Sequence, residues 1–372
     1  MNAVGLIFAD NYEVEINELT ETRTMAALPF GARYRVVDYL LSNITNAGIH
    51  DVGIITNSRY ESLMDHVSSG IEWDLERKNG GLHFLPPFSY HGRGNRYEHI
   101  LEAMQANVSF LRNCDEEYVI ACSSTCVGNI DLAAMMDYHI KTDAYITVLC
   151  TRNPRNKQVG IPTTEYLMDP TGRIQNIEIN RKPILQGAVV GANIYIVRRT
   201  DLLDLLENSE REMTSWRRDV LIPHLKDRKI MGYVTGETLL YLDNVVAYLQ
   251  SSLDLLDPNL RDELFHQENR PIITRVGDSA PAWYGPRSNV RNSLIAAGTI
   301  IEGEVRNSVI FRGVHIKKGS VIENSVVMRN ATIGEHVHLN YAILDKNVII
   351  NDKRMLSGYI THPFVVKYGA VI

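Results

Sequence analysis

Val290-Arg-Asn-Ser-Leu-Ile295 recurs along the C-terminal part of the chain, and this repeat decides its fold. The segment returns as Val305-Arg-Asn-Ser-Val-Ile310, as Ile322-Glu-Asn-Ser-Val-Val327 and, more weakly, as Leu339-Asn-Tyr-Ala-Ile-Leu344. The successive offsets are 15, 17 and 17 residues. A short repeat of nearly constant length predicts a solenoid, in which each unit packs only on its neighbours.

Aliphatic residues also recur every five or six positions within this repeat. Strands alternate every two residues and helices every ~3.6, so neither period explains the pattern. In a three-sided coil, one aliphatic side chain per side points inward. We therefore predict a buried ladder of Ile310, Ile316, Ile322, Val327, Ile333, Leu339, Leu344 and Ile350. Corners with permissive backbone are predicted at Gly298, Gly303, Gly313, Gly319 and Gly334. The pattern resembles the hexapeptide-repeat left-handed β-helix; the alternative is an antiparallel sandwich.

Residues 1 to about 250 alternate between apolar strand patterns and helical patterns, which indicates an α/β domain with a mostly parallel sheet. Ligands of such sheets bind beyond the carboxyl ends of the strands. Buried strands are predicted at 3–8, 52–56, 118–122 and 144–149. Helices are predicted at 34–47, at 98–111 and from Asp131 onward.

The composition excludes several classes of protein. The chain has 372 residues, 45% of them hydrophobic, and a formal net charge of -6. No basic surplus is available to neutralise nucleic-acid phosphates. No apolar run approaches the ~18 residues of a membrane span, and no signal peptide is seen. We expect a cytoplasmic protein whose four cysteines are buried reduced thiols.

One N-terminal block carries a family resemblance. Arg23-Thr-Met-Ala-Ala-Leu-Pro-Phe-Gly-Ala-Arg-Tyr-Arg-Val-Val-Asp-Tyr-Leu-Leu-Ser-Asn43, closing with Asn46-Ala-Gly-Ile49, resembles the first block of bacterial ADP-glucose pyrophosphorylases, R-A-K-P-A-V-P-x-G-G-K-Y-R-x-I-D-x-x-L-S-N. The resemblance implies a Rossmann-like (GT-A-like) nucleotidyltransferase domain at 1–255, a linker at 256–285 and a left-handed β-helix at 286–372. That family joins glucose 1-phosphate to the α-phosphate of ATP.

Three catalytic elements that the resemblance implies are altered. The family loop G-G-x-G-T-R-L aligns with Asp10-Asn-Tyr-Glu-Val-Glu-Ile16, which has no glycine and has Glu15 at the arginine position. Carboxylates there would repel a triphosphate, and side chains would block approach to the backbone. The lysine of R-A-K-P is Met25, and the metal-binding aspartate of S-G-D-H is Thr125. A neutral hydroxyl is a poor ligand for Mg²⁺. We therefore expect no intact catalytic site and no Mg²⁺ of the chain's own.

The sugar side is altered as well. The block F-x-E-K-P corresponds to Ile179-Asn-Arg-Lys-Pro183, which keeps Lys182 but has Arg181 in place of the glutamate. The serine of S-M-G-I-Y aligns with Gly191. Trp216-Arg-Arg-Asp219 resembles F-G-K-D, so Asp219 is a candidate second metal carboxylate. Lys182 and Asp219 are residual substrate-binding candidates; the alternatives are a surface lysine and a helix-terminal charge.

Three arginines in the first block are candidates for binding an effector. In the family, arginines at the positions of Arg23 and Arg35 resemble contributors to an effector cleft facing the β-helix, and Arg33 adds a third cation. Guanidinium groups suit phosphate and sulfate through bidentate contacts. The alternative is that Arg35 pairs with Asp38 at the helix start and that Arg23 is solvated.

Three functions follow from these observations. The first is a non-catalytic subunit that assembles with a catalytic ADP-glucose pyrophosphorylase subunit, as a heterotetramer, and raises its activity in glycogen synthesis. Mg²⁺ would then be used by the partner. The second is an active nucleotidyltransferase with a rewired ATP loop, and the third is a free-standing sensor of an anionic metabolite. Homo-oligomers of this chain alone remain compatible with the sequence.

Overall fold

The N-terminal part of the chain is built on one mixed β-sheet. In this computed structural model, residues 1–10, 16–87, 97–156, 163–180, 184–208 and 213–372 are described. The strands of the N-terminal part are β1 (Ala3–Phe8), β2 (Pro29–Phe30), β3 (Tyr34–Arg35), β4 (Asp51–Ile55), β5 (Gly81–Leu85), β6 (Tyr118–Ser123), β7 (Cys126–Val127), β8 (Ile146–Thr151), β9 (Thr163–Met168), β10 (Ile174–Asn180), β11 (Val189–Arg198), β12 (Ile230–Val234) and β13 (Leu240–Tyr241). The main sheet runs β10-β9-β11-β6-β1-β4-β5, and β8 pairs with β11 and β12.

The middle of this sheet is parallel and one flank is antiparallel. β1 pairs in parallel with β4 and β6, as predicted. β11 runs antiparallel to β6, β8 and β9, so the prediction of a mostly parallel sheet is wrong on this side. β9 and β10 are joined by residues 169–173 alone, which suits antiparallel neighbours, whereas parallel neighbours need a crossover.

Helices cover both faces of the sheet. Buried clusters lie on the two sides, one around Ile7, Val37 and Ile120 and the other around Leu6, Val119 and Val148. The α-helices are α1 (Asn17–Thr20), α2 (Val36–Asn46), α3 (Glu61–Val67), α4 (Ile100–Ala106), α5 (Val108–Asn113), α6 (Leu132–Thr142), α7 (Arg199–Glu207), α8 (Ile222–His224), α9 (Val245–Asp254) and α10 (Pro258–Phe265). Short 3-10 helices span Met25–Ala27 and Ile71–Trp73, and a π-helix spans Trp216–Leu221. No helix among the described residues is long and apolar enough to cross a membrane.

The helix predicted at 98–111 is two helices. α4 and α5 meet at Asn107, whose Nδ2 donates to Ala103 O at 2.8 Å. Asparagine side chains compete with the helical backbone for hydrogen bonds, which accounts for the break.

The C-terminal part is a three-sided parallel β-helix, which confirms the predicted architecture. Its strands form three parallel sheets, and residues one coil apart pair directly, as in Val290 with Val305 and Val305 with Ile322. The eight residues of the predicted ladder are all buried, none exposing more than 1% of its surface. The strands are Trp283–Tyr284, Asn289–Arg291, Leu294–Ile295, Ile300–Ile301, Glu304–Arg306, Val309–Ile310, His315–Ile316, Val321–Glu323, Val326–Val327, Thr332–Ile333, His338–Asn340, Ala342–Leu344, Ile349–Ile350, Met355–Ser357 and Phe364–Val366.

The corners of the β-helix use asparagine as well as glycine. Gly298 and Gly313 have φ values of 74° and 70°, and the equivalent residues of the next two coils are Asn330 and Asn347, both with φ 59°. Gly303 does not have a positive φ, and its role is close packing, because a Cβ there would lie within van der Waals overlap of Ser320 O. Asparagine tolerates the left-handed region because its short polar side chain bonds locally.

The β-helix and the N-terminal part share one buried core, which we call the interdomain core. Val309, Val326 and Ile343 follow one another on one outer side of the β-helix, and they pack in the same buried cluster as Met25 and Leu249. Residues 256–285, which the sequence predicts to be a linker, contain α10 and the strand Trp283–Tyr284, which pairs with Ile300–Ile301. The two parts are therefore joined by packed apolar surface as well as by a connecting segment.

Candidate functional site

We call the region beyond the carboxyl ends of β1 and β6 the cleft, because ligands of α/β sheets bind there. Ser124 Oγ donates to Phe8 O at 2.6 Å, and Ala26 N donates to Ala9 O at 2.8 Å. These bonds hold together the segment after β1, the segment after β6 and the 3-10 helix that contains Met25. The arrangement is the one expected for a ligand cleft of an α/β sheet.

Thr125 lies in the turn between β6 and β7. It is 4% exposed, and its Oγ1 has no hydrogen-bond partner among the described residues. Its carbonyl oxygen accepts from Leu242 N at 3.0 Å, because β7 and β13 pair in an antiparallel ladder. A neutral, buried hydroxyl stands where the resemblance places a metal-binding carboxylate, and it supplies no charge to balance Mg²⁺.

Met25 is buried among apolar side chains. It is 3% exposed and belongs to the interdomain core with Leu28, Phe30 and Val309. A cation at this position would be desolvated among aliphatic and aromatic groups, which is strongly unfavourable. The position of the phosphate-binding lysine has therefore become part of the hydrophobic core.

Two residues that the sequence analysis singled out, one in the family's glycine-rich loop and one for the sugar phosphate, lie outside the described residues. These are Glu15, in the segment 11–15, and Lys182, in the segment 181–183. The flanks of the first segment are described: Asp10 Oδ2 accepts from Asn57 N at 2.9 Å, and Ile16 is 2% exposed.

Asp219 caps its own helix. Its Oδ2 accepts from Thr214 N at 2.7 Å, from Thr214 Oγ1 at 3.0 Å and from Ser215 N at 2.8 Å. Burial opposes ionisation of this carboxyl, but these bonds outweigh it and lower the pKa of Asp219. Thr125 and Asp219 therefore do not offer the pair of available carboxylates that would fit Mg²⁺.

Sequence reasoning did not single out Asp243, a buried residue that lies next to the segment bonded to Thr125. Asp243 is 3% exposed and directly follows Leu242, the residue that bonds Thr125. The available signal was the apolar run Leu239–Leu242, a short strand that ends in an aspartate. The pairing of β13 with β7, which places Asp243 one residue after the hydrogen bond between Leu242 and Thr125, cannot be read from local sequence.

The structure places the three arginines in different surroundings. Arg23 is 1% exposed, and its Nη2 donates to both carboxylate oxygens of Asp345 in the β-helix, at 2.7 and 2.8 Å. The alternative that Arg23 is solvated is therefore wrong. Arg33 is exposed and lies 5.3 Å from the centre of the Tyr34 ring.

Arg35 is half-buried at the start of α2. Its backbone N donates to Asp38 Oδ2 at 2.9 Å, which stabilises the helix start, while its guanidinium donates to the carbonyl and hydroxyl oxygens of Ser62. Burial, and repulsion by Arg23 and Arg329, lower the pKa of Arg35 to about 10.

Comparison with known proteins agrees with this architecture. Residues 15–235 match the nucleotidyl transferase family, and residues 282–358 match the GlmU-like, C-terminal hexapeptide family. The chain is 32% identical to the glucose-1-phosphate adenylyltransferase of Bacillus cytotoxicus over 95% of its own length and 94% of that protein. The chain belongs to the glucose-1-phosphate adenylyltransferase family. This confirms the family and the two-part fold inferred from the sequence.

Relatives within the glucose-1-phosphate adenylyltransferase family carry two different names. The chain is 30% identical to the glycogen biosynthesis protein GlgD of Bacillus subtilis, over 99% of its own length and 96% of that protein. It is also 30% identical to the glucose-1-phosphate adenylyltransferase of Fervidobacterium nodosum, over 94% of its length and 84% of that protein. The chain is about equally identical to relatives with either name, so overall identity does not assign it to one of the two groups. The residues of the cleft decide between them.

Proposed function

We propose that this chain is a non-catalytic regulatory subunit of glucose-1-phosphate adenylyltransferase, active in ADP-glucose and glycogen synthesis. It assembles with a catalytic subunit, as a heterotetramer, and raises that subunit's activity. The observation that carries the proposal is the burial of Met25 in the interdomain core, because it turns a phosphate-binding position into a packing position. The likeness to GlgD, a glycogen biosynthesis protein, supports the same assignment.

The chemistry is carried out by the partner in this proposal. Adenylyl transfer needs a metal to neutralise charge on the phosphates and basic groups to hold them. Thr125 and Met25 supply neither, so the chain holds no Mg²⁺ of its own and the catalytic subunit uses the metal. What this chain retains is the fold and the contact between its two parts.

Co-expression with a catalytic subunit tests the proposal. The partner is a family member that keeps G-G-x-G-T-R-L and S-G-D-H. We expect the two chains to copurify at the mass of a heterotetramer and the complex to have a higher kcat/KM than the partner alone. A Thr125→Val variant should assemble and activate equally well, because it changes a hydroxyl that has no part in the proposed role.

Two results would contradict the regulatory-subunit proposal. If the two chains stay apart and the partner's kinetics do not change, the regulatory-subunit proposal is wrong. If the chain alone responds fully to an anionic metabolite, the free-standing sensor is the better assignment.

An anionic effector is the second part of the proposal, and a cluster of cations supports it. Lys346 directly follows Asp345, the hydrogen-bond partner of Arg23, and repulsion by Arg35 and Arg329 acts on its ammonium group. Burial first, and then repulsion by Arg35 and Arg23, lower the pKa of Lys346 to about 7. Asp345 pairs with Arg23, and Asp38 and Asp65 attract Arg35, so the four cations Arg23, Arg35, Arg329 and Lys346 are opposed by three carboxylates. An anion between the two parts would relieve this repulsion.

The pH dependence of anion binding tests this cluster. Lys346 is charged below its folded pKa of about 7 and becomes neutral above it. Sulfate, which stays divalent throughout, should therefore raise the Tm of the full chain more at about pH 6 than at about pH 8.5. Differential scanning fluorimetry with increasing sulfate measures the effect.

Two substitutions make the test specific. Lys346→Met should remove most of the pH dependence, whereas Lys318→Met, at a lysine whose side chain is 75% exposed, should leave it unchanged. Equal sulfate stabilisation at both pH values in the unsubstituted chain would show that this cluster is not the anion site.

A further inference from the structure

Gly191, at the sugar end of the cleft, is covered by an aromatic ring. A Cβ added to Gly191 would lie 2.5 Å from Cε2 of Tyr166, which is closer than real side chains approach. Tyr166 is 0% exposed and belongs to the buried cluster around Val148 and Tyr195. The serine that the resemblance places at this position cannot coexist with the Tyr166 ring where it now lies.

A second side chain closes the same region from the π-helix. Arg217 stands at the glycine position of the block that resembles F-G-K-D, and it is only 8% exposed. Its guanidinium donates to Oγ1 of Thr164, which lies on β9. Its neighbour Trp216 stacks on Tyr195, with ring centres 4.9 Å apart and planes at 15°.

A third side chain reaches Gly191 from β13. Tyr241 is 1% exposed, and its hydroxyl donates to Gly191 O at 3.1 Å. Tyr241 pairs with Cys126, the residue after Thr125, so it connects the metal position to the sugar position of the cleft. Gly191 thus contacts two buried tyrosines: the ring of Tyr166 covers its Cα, and the hydroxyl of Tyr241 donates to its carbonyl oxygen.

We propose that this chain fills the sugar end of its own cleft with Tyr166, Arg217 and Tyr241, and so does not bind a hexose 1-phosphate. The inference rests on the proposed function, because it concerns the cleft of a non-catalytic subunit. Buried aromatic side chains each remove roughly 150–250 Å² from water, so displacing them to admit a polar sugar is unfavourable. The filled cleft takes the place of a bound ligand in holding β9, β11 and the π-helix together.

Glucose 1-phosphate is the probe for this inference. Isothermal titration calorimetry of the full chain should show no saturable binding at millimolar sugar phosphate. The Arg217→Gly variant, and Arg217→Gly combined with Tyr166→Val, should gain saturable millimolar binding. Ser215 Oγ and Trp216 Nε1, buried and without hydrogen-bond partners among the described residues, would be available to sugar hydroxyls. Arg218→Gly is the matched control, since Arg218 is exposed on the same helix, and it should gain none.

A stability measurement tests the packing without any ligand. Gly191→Ala and Tyr166→Val should each lower the Tm of the chain, and the loss in the double variant should be smaller than the sum of the two single losses, because the smaller side chain makes room for the new Cβ. If the loss of Tm in the double variant equals the sum of the losses in the two single variants, the proposed packing is wrong.

Two binding results would also overturn the inference. One is saturable binding of glucose 1-phosphate by the unsubstituted chain, and the other is a folded Arg217→Gly, Tyr166→Val variant that gains no binding. Neither result affects assembly with a catalytic subunit or activation of it, so failure here is distinguishable from failure of the proposed function.

Discussion

The purified chain, given ATP, glucose 1-phosphate and Mg²⁺, should make no ADP-glucose above the level of a blank. Each missing phosphate clamp or metal ligand removes several kcal/mol, roughly, of transition-state stabilisation. Here the losses combine at Met25, at Thr125 and in the acidic segment that contains Glu15. Chromatographic detection of ADP-glucose, together with pyrophosphate release, measures the outcome.

Restoring two of the lost groups provides the control for this expectation. The double variant Thr125→Asp, Met25→Lys should also make no ADP-glucose above the blank. The new lysine would be buried in the interdomain core, and the acidic segment would still repel a triphosphate. Turnover by the pure chain that disappears in Thr125→Val would contradict the expectation. Near-normal activity of the double variant would show that the acidic segment does not exclude the triphosphate.

Removing one partner of the ion pair between Arg23 and Asp345 should produce the largest loss of stability. Both side chains are almost completely buried, at 2% and 3% exposed. Arg23→Met leaves an unpaired carboxylate inside the molecule, and breaking a buried pair in this way costs about 3–5 kcal/mol. We expect a clear fall in the midpoint of thermal unfolding, measured by circular dichroism or scanning calorimetry.

Two matched variants separate the pair from a general effect of removing an arginine. Arg23→Met with Asp345→Leu should recover most of the loss, because no charge is then left buried without a partner. Arg112→Met breaks the pair with Glu207, whose side chains are 56% and 36% exposed, and should cost less than about 1 kcal/mol. If Arg23→Met and Arg112→Met have the same effect, the buried pair does not stabilise the contact between the two parts.

Local patterns predicted the β-helix and the central strands, and long-range contacts account for what they missed. The aliphatic ladder could be read because the residues of each coil are close in sequence, with a fixed spacing between Ile310, Ile316 and Ile322. The antiparallel direction of β11 depends on partners far along the chain, so its sequence alone did not indicate it.

The same distinction applies to the candidate site. The change at Thr125 was visible in an aligned block, and the structure adds its burial. The pairing of β13 with β7 places Asp243 and Tyr241 near Thr125, and Asp345 meets Arg23 across 322 positions of sequence. Contacts of this kind are formed by tertiary packing, for which a single sequence carries no local signal.

The contact between Arg23 and Asp345 also determines which coil of the solenoid docks where. Val309, Val326 and Ile343 present nearly the same surface every coil, about 4.8 Å apart, so apolar packing alone would allow the β-helix to slide by one rung. The positions equivalent to Asp345 in the preceding coils are Met328, Phe311 and Ala296, none of which can pair with a guanidinium as a carboxylate does. The single carboxylate of Asp345 therefore fixes the register in which the β-helix docks. A shift by one coil would leave Arg23 buried without its counter-ion.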